Sequence, residues 1–348
     1  MNDTHMIADT TRRIFRELGD PQSLRGDADR QRLWDALETA GLTRTWIPES
    51  LNGSGATLAD GFEVMRVAGE FAVNVPLAES MLGGWLLQQG SIATPVGSGS
   101  VAPVDVRDHI TAGANDVLSG TARSVPFARD AAWIAVMGLH AKRAFVALVD
   151  RSLCRIREHA NVAGDARDAV GLLDVPPRAI AQAAIDAHAL LLIGAAVRAM
   201  QMAGALQAVL DISVAYANQR VAFEKPIGKF QAIQHSLAKL AGEAAAALAA
   251  AGSAADAIAS AKEFDAGIFL EVAAAKIRVG EAAATGAAIA HQVHGAIGFS
   301  REHVLHRYTH RLWAWRDDFG GESYWAVRLG QMVAGNGADA LWPMLAAR

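Results

Sequence analysis

The residues best suited to chemistry lie between Tyr216 and Gln231, in the run Y-A-N-Q-R-V-A-F-E-K-P-I-G-K-F-Q. Arg220 carries a planar, permanently charged fork that matches phosphate. Phe223 adds a ring face three residues on, and Gln231 an amide eleven residues after the arginine. A long helix-forming run ends here, and Pro226 opens a second segment. Charge, ring and amide on a helix-turn-helix corner suit a nucleotide diphosphate better than they suit a core. The plain alternatives are an Arg220 paired with a surface carboxylate and a Phe223 that plugs the corner between two helices.

A second glycine-bearing stretch is Gln292-Val293-His294-Gly295-Ala296-Ile297-Gly298-Phe299. Glycine lets backbone approach an anion closely, although Gly295 also has the position of a helix C-cap. His303, His306 and His310 follow at spacings of three and four and share a helical face. Two histidines four apart can chelate a metal. No acid or cysteine completes a site nearby, and Arg307 and Arg311 interleave positive charge, so no metal site is expected. A basic-aromatic face against phosphate, or a helix packed in an oligomer, fits these residues better. The sequence has no P-loop and no strand-associated G-x-G-x-x-G.

The elements that must position these residues fall into three zones. Residues 1–90 read as an N-terminal helical domain. Leu33, Trp34 and Leu37 form a helical stripe closed by Gly41, and helical spacing returns over Leu58–Gly69 and Leu77–Gln89. Residues 91–178 read as a small central β-barrel-like domain. A hairpin is expected at Val117–Val125 around Ser119-Gly120, strands at Trp133–Met137 and Ala144–Val149, and edge strands at Leu153–Ile156 and Gly171–Val175. Residues 179–348 read as an alanine-rich four-helix-bundle domain. Its first helix is expected over Ile180–Arg220, its second is interrupted near Gly252-Ser253, its third runs over Ala266–His294, and a last one is broken at Gly320-Gly321. The predicted fold class is therefore α+β, mostly α.

The totals agree with a folded chain. Its 348 residues suffice for two or three domains, and 52% hydrophobic with 20% charged residues excludes disorder as the main state. A net charge of -4 argues against nucleic acid as partner. Cys154 is the only cysteine and reads as a small buried hydrophobe in a reducing compartment. Met1–Arg16 lacks a signal-peptide-like apolar stretch. The longest apolar run, Ala189–Val197, stops at Arg198, too short for a membrane span. A cytoplasmic protein is expected.

The order helices, β domain, helical bundle, taken with three motifs, resembles the acyl-CoA dehydrogenase family. Pro48-Glu49 followed by Gly53 and Gly55 resembles P-E-x-x-G-G-x-G, with Asn52 for the first glycine. Arg220 to Ile227 resembles R-x-x-F-G-x-P-I with Glu224 for the glycine, and Gln231 falls at the expected glutamine. Gln292 to Phe299 resembles Q-x-x-G-G-x-G-F with Ala296 for the second glycine. The resemblance implies a flavoprotein that removes two hydrogens from the α and β carbons of an acyl-CoA. FAD would be the hydride acceptor, and electron-transfer flavoprotein the onward acceptor. It also implies an oligomer, a dimer or tetramer, in which Arg220, Phe223 and Gln231 contact the FAD of a neighbouring subunit, and Gln292 and Gly295 line the nucleotide from another part of the assembly.

The same resemblance exposes a gap. The family's usual base is the glutamate of Y-E-G, and here that place reads Asp317-Asp318-Phe319-Gly320-Gly321-Glu322. Matching the triplets puts Gly320 at the glutamate, whereas ungapped counting puts Phe319 there. The alternative family position, on the first long helix of the third domain, falls at His188–Ala195 and holds no acid. Asp318 and Glu322 are the candidate substitutes, or else solvated turn acids. The T-E-x-x-x-G-S-D-type loop that touches the flavin ring is represented only by Thr94–Ser100. Two functions follow: a dehydrogenase with an unusual base, or a catalytically degraded partner subunit of a heteromeric acyl-CoA dehydrogenase. A different CoA-thioester enzyme on the same scaffold is a third.

Overall fold

A computed structural model describes residues 3–20 and 26–346 of the chain. The first two residues of the N-terminal stretch considered above, and the last two of the bundle domain, lie outside the described residues. Four helices come first: α1 (Asp3–Leu18), α2 (Asp27–Thr39), α3 (Leu58–Phe71) and α4 (Leu77–Gln88). The expected stripe Leu33, Trp34, Leu37 is buried on α2, and Gly41 takes the left-handed conformation just past its end. Thr57 and Asp60 form a reciprocal capping box at the start of α3.

The central domain is one sheet. It contains β1 (Gly99–Ala102), β2 (Ile110–Ala112), β3 (Leu118–Pro126), β4 (Trp133–His140), β5 (Arg143–Asp150), β6 (Arg155–Arg157), β7 (Arg167–Val175) and β8 (Ala179–Gln182). The order is β6-β7-β3-β2-β4-β5-β8, with β1 parallel to β4. The hairpin expected around Ser119-Gly120 is absent. Those two residues sit inside β3, which stays continuous through an irregular register between Leu118 and Gly120 and pairs with both β2 and β7. The extra residue at that irregularity lies on β7, where Asp174 has φ 51°, so β3 runs through Gly120 without a turn. Gly171–Val175 is not an edge strand either: β7 is flanked by β6 and β3, and β6 forms that edge.

The first bundle helix, α5 (Ala187–Gln219), starts later than expected because Ala179–Gln182 is recruited as β8 alongside β5. A two-residue-stranded hairpin, β9 (Val221–Ala222) and β10 (Lys225–Pro226), precedes α6 (Gln231–Ser260) and α7 (Ala266–His294). Helix α6 runs unbroken through Gly252-Ser253, since the Ser253 hydroxyl turns aside to Glu271 on α7. Helices α8 (Leu305–Asp317), α9 (Glu322–Asn336) and α10 (Ala338–Ala346) complete the chain. By length and composition α5 is apolar enough to cross a membrane, but its apolar stretch is buried inside the protein.

One hydrophobic core runs from Phe15 and Leu37 through Val197 and Leu206 to Val279 and Trp325, so both helical regions share it. A second, smaller core lies within the sheet. Contact between α3 and α5 depends on small residues. A Cβ on Gly204 would stand 2.0 Å from the Arg66 carbonyl oxygen, and one on Gly69 would stand 2.0 Å from that of Gln201. Any larger residue at either place would push the two helices apart.

Candidate functional site

The corner predicted to hold a nucleotide is built outward from the end of α5. Arg220 is the C-cap of α5, its backbone N–H donating to the Tyr216 carbonyl at 2.8 Å. The chain then reverses in the β9–β10 hairpin, whose two turn residues Phe223 and Glu224 have φ of 50° and 67°. Positive φ at both positions is the geometry of the tight turns favoured in two-residue hairpins. It explains why the family motif has a glycine where this chain has Glu224. The turn also directs Phe223 outward: the residue is 88% exposed. Its ring meets Phe230 edge-on at 6.2 Å, and the Lys225 ammonium lies over Phe230 at 4.4 Å. Gln231 opens α6 and is exposed. Among the described residues the Arg220 side chain has no carboxylate partner, so the plain ion-pair alternative does not hold.

The second motif segment is attached to this corner through Tyr216. Its ring stacks on His294 with centroids 4.3 Å apart, and its hydroxyl donates to the His294 carbonyl at 3.3 Å. Gln292 is exposed on the last turn of α7, and Gly295 ends that helix at φ 67° with open space where a Cβ would stand. The structure thus joins Arg220, Phe223 and Gln231 to the segment bearing Gln292 and Gly295. The histidines nearby pack as rings. His291 stacks on Phe299 at 3.8 Å, and His303 leans on His294 and Tyr216. Among the described residues no group of three or more His, Cys, Asp or Glu is arranged around a metal position.

The two candidate bases lie elsewhere, and neither is a solvated turn acid. Asp318 is 7% exposed, and both its oxygens are taken. Arg167 from β7 donates to Oδ1 at 3.3 Å and to Oδ2 at 2.7 Å, and Arg198 from α5 donates to Oδ2 at 2.8 Å. Arg198 in turn pairs with Glu79 of α4 and the Gln201 amide. Burial would raise the Asp318 carboxyl, but the charges of Arg167, Arg198 and Lys276 outweigh it and hold the group below the usual carboxylate range. A base works best with a pKa near the operating pH, so this environment opposes that role. Glu322 accepts from the Arg316 Nε at 2.6 Å and lies over Gly280 of α7, where a Cβ would come within 2.2 Å of its Oε1.

The positions at which the resemblance leads one to expect a base are closed. Phe319 is fully buried and its ring covers Gly194 on α5, where an added Cβ would lie 2.4 Å from the ring. Gly320 adopts φ 92°, and a side chain there would strike Tyr324 at 2.6 Å. Thr94–Ser100, the stretch expected to stand for the flavin-ring loop, runs into β1, and Thr94 is buried. Arg167, Arg198, Glu79 and Lys276 were not singled out from the sequence. The available signal was Arg198 itself, a charge ending the longest apolar run. Cys154 is half-buried, and burial pushes its thiol up to about 11, consistent with an inert packing residue.

Comparison with known proteins bears on the family and the fold. The family described as acyl-CoA dehydrogenase, C-terminal domain, matches residues 186–315. The acyl-CoA dehydrogenase IpdE2 of Mycobacterium tuberculosis is 27% identical over 89% of this chain and 90% of its own length. Residues 186–315 thus match the acyl-CoA dehydrogenase C-terminal domain, and most of the chain is similar to an acyl-CoA dehydrogenase. The glutaryl-CoA dehydrogenase of Desulfococcus multivorans is 40% identical over a segment covering 30% of this chain and 26% of that protein. In fold, the chain matches the crystal structure of the ChsE4-ChsE5 complex from Mycobacterium tuberculosis with a TM-score of 0.86. The identity there is 22%, over 97% of this chain and 99% of that one. A glutaryl-CoA dehydrogenase bound to glutaryl-CoA gives 0.82 at 20% identity, over 95% and 94%.

Proposed function

We propose that this chain serves α,β-dehydrogenation of an acyl-CoA as the cofactor-holding partner of a second chain, which carries the base. The observation behind this reading is a contrast. The corner of Arg220, Phe223 and Gln231 is open outward, whereas both base positions are closed from within, Gly194 by the Phe319 ring and Gly320 by Tyr324. Those features fit FAD presented by a neighbour. An unpaired guanidinium accepts a pyrophosphate bidentately, an exposed ring supplies a stacking face, and Gly295 leaves backbone open beside the exposed Gln292. FAD, when bound, supplies the acceptor for the hydride from the β carbon. This chain's part is to bind and orient the cofactor: Arg220 neutralises the diphosphate, Phe223 covers it from water, and Gln231 and Gln292 offer amides. The likeness in fold to the ChsE4-ChsE5 complex accords with a heteromer.

The assignment is tested by co-purifying the chain with a family member that has the glutamate and measuring bound flavin per complex. Arg220→Ala is expected to lower flavin content at least about tenfold, as loss of a charge-assisted pair does. Unchanged flavin content would remove Arg220 from the site.

A further inference from the structure

Tyr216 ties the last turn of α5 to the end of α7. Its carbonyl accepts the Arg220 backbone N–H at 2.8 Å, so Arg220 leaves the helix one turn beyond the tyrosine. Its ring stacks on His294 at 4.3 Å, with 25° between the planes, and meets His303 edge-on at 5.9 Å. The Tyr216 hydroxyl reaches the His294 carbonyl at 3.3 Å, long for an O–H···O bond, so the ring contact is the stronger of the two. His294 is held in turn. It is buried, and its Nδ1 donates to the Ala290 carbonyl at 2.8 Å, one turn back on α7. A carbonyl only accepts, so the proton sits on Nδ1, and burial keeps the ring neutral by pushing it below the usual histidine range. Beyond this half-buried contact both segments turn outward: Arg220 is exposed on one side, and Gln292 and Gly295 on the other.

We propose that Tyr216, through its stack on His294, is the positioning residue of the Arg220 corner, a role that rests on reading that corner as the FAD site. The stack holds Arg220 and the Gln292–Gly295 backbone in register, so that one diphosphate-bearing ligand meets both. Arg220 lies four residues after Tyr216, and Gly295 directly follows His294, so a ring pair between them fixes both ends at once. An aromatic pair does this by shape, whereas an ion pair at the same place would compete with the ligand for the arginine. A supporting contact loosened by about 1 Å is enough to weaken a preorganised site.

The test is the rate at which the diluted two-chain complex releases FAD, followed by flavin fluorescence. Tyr216→Leu is expected to speed release about tenfold, and Tyr216→Phe, which keeps the ring and removes only the hydroxyl, by no more than about threefold. His294→Ala should match Tyr216→Leu. The two together should add no more than about twofold beyond either alone, because they remove the same contact. Separate losses of packing would multiply instead. If His294→Ala does not fold, the contrast between Tyr216→Leu and Tyr216→Phe decides alone. Release unchanged in Tyr216→Leu, release as fast in Tyr216→Phe as in Tyr216→Leu, or effects of Tyr216→Leu and His294→Ala that multiply would each overturn the proposal while Arg220→Ala still speeds release. Release unaffected by Arg220→Ala would remove the reading of the corner as the FAD site, and the role of Tyr216 with it.

Discussion

At the scale of single residues, Asp318 shows how a carboxylate near a lost catalytic position can have an opposite role. It joins the β domain through Arg167 to α5 through Arg198, and Glu79 extends the pair to α4. Removing one member of a buried pair leaves its partners uncompensated, so Asp318→Ala should destabilise the fold by about 3–5 kcal/mol in denaturant titration. A base would instead lose rate with stability intact. The pH sign follows from its depressed carboxyl: the stabilisation is present above the unfolded value, about 3.9, and is lost as pH falls through the folded value. Phe223 makes the complementary case. Being 88% exposed, Phe223→Ala should change the chain's own stability by no more than about 0.5 kcal/mol, yet reduce flavin retention in the complex. Thermal melts and flavin content together separate the two effects.

At the scale of elements, the Arg220 corner and its supporting layer differ in character. The end of α5, which leads into the exposed β9–β10 hairpin, is joined to the end of α7 by stacked rings, including His291, His294 and His303. Burial pushes all three, and His310, below the usual histidine value. The unfolded chain therefore takes up protons first as pH falls. Stability from this layer is full above about pH 6.5 and declines below it, a range in which Asp318 does not titrate. The melting temperature should accordingly drop between pH 7 and 5, and His294→Gln should flatten that slope; an unaltered slope would show that His294 contributes nothing to it.

Element positions were largely legible because caps and periodicity are local. Leu33, Trp34 and Leu37 marked α2, and the Arg220 motif marked the end of α5. The misses were tertiary. Gly120 looked like a turn, but two flanking strands hold it inside β3. Ala179–Gln182 looked helical until β5 offered a free edge. Gly252-Ser253 looked like a break, but α7 supports α6 across it. The buried charges were illegible for the same reason: Arg198, Glu79, Arg167 and Asp318 are far apart in sequence and meet only through folding.

At the scale of the whole molecule, the Arg220 corner is open outward while Phe319 covers Gly194 from within. The shared core fixes α5 against α3, and Phe319 seals the position on Gly194 where a base would otherwise reach in. The account therefore requires a second, non-identical chain for turnover. The most direct measurement is the visible spectrum of the chain purified alone with FAD added. It should then be repeated for the chain co-purified with a family member bearing the glutamate, in each case before and after anaerobic addition of acyl-CoAs. The account predicts a colourless chain alone, and a yellow complex that bleaches with one thioester. A chain that is yellow by itself and bleaches with an acyl-CoA would contradict it.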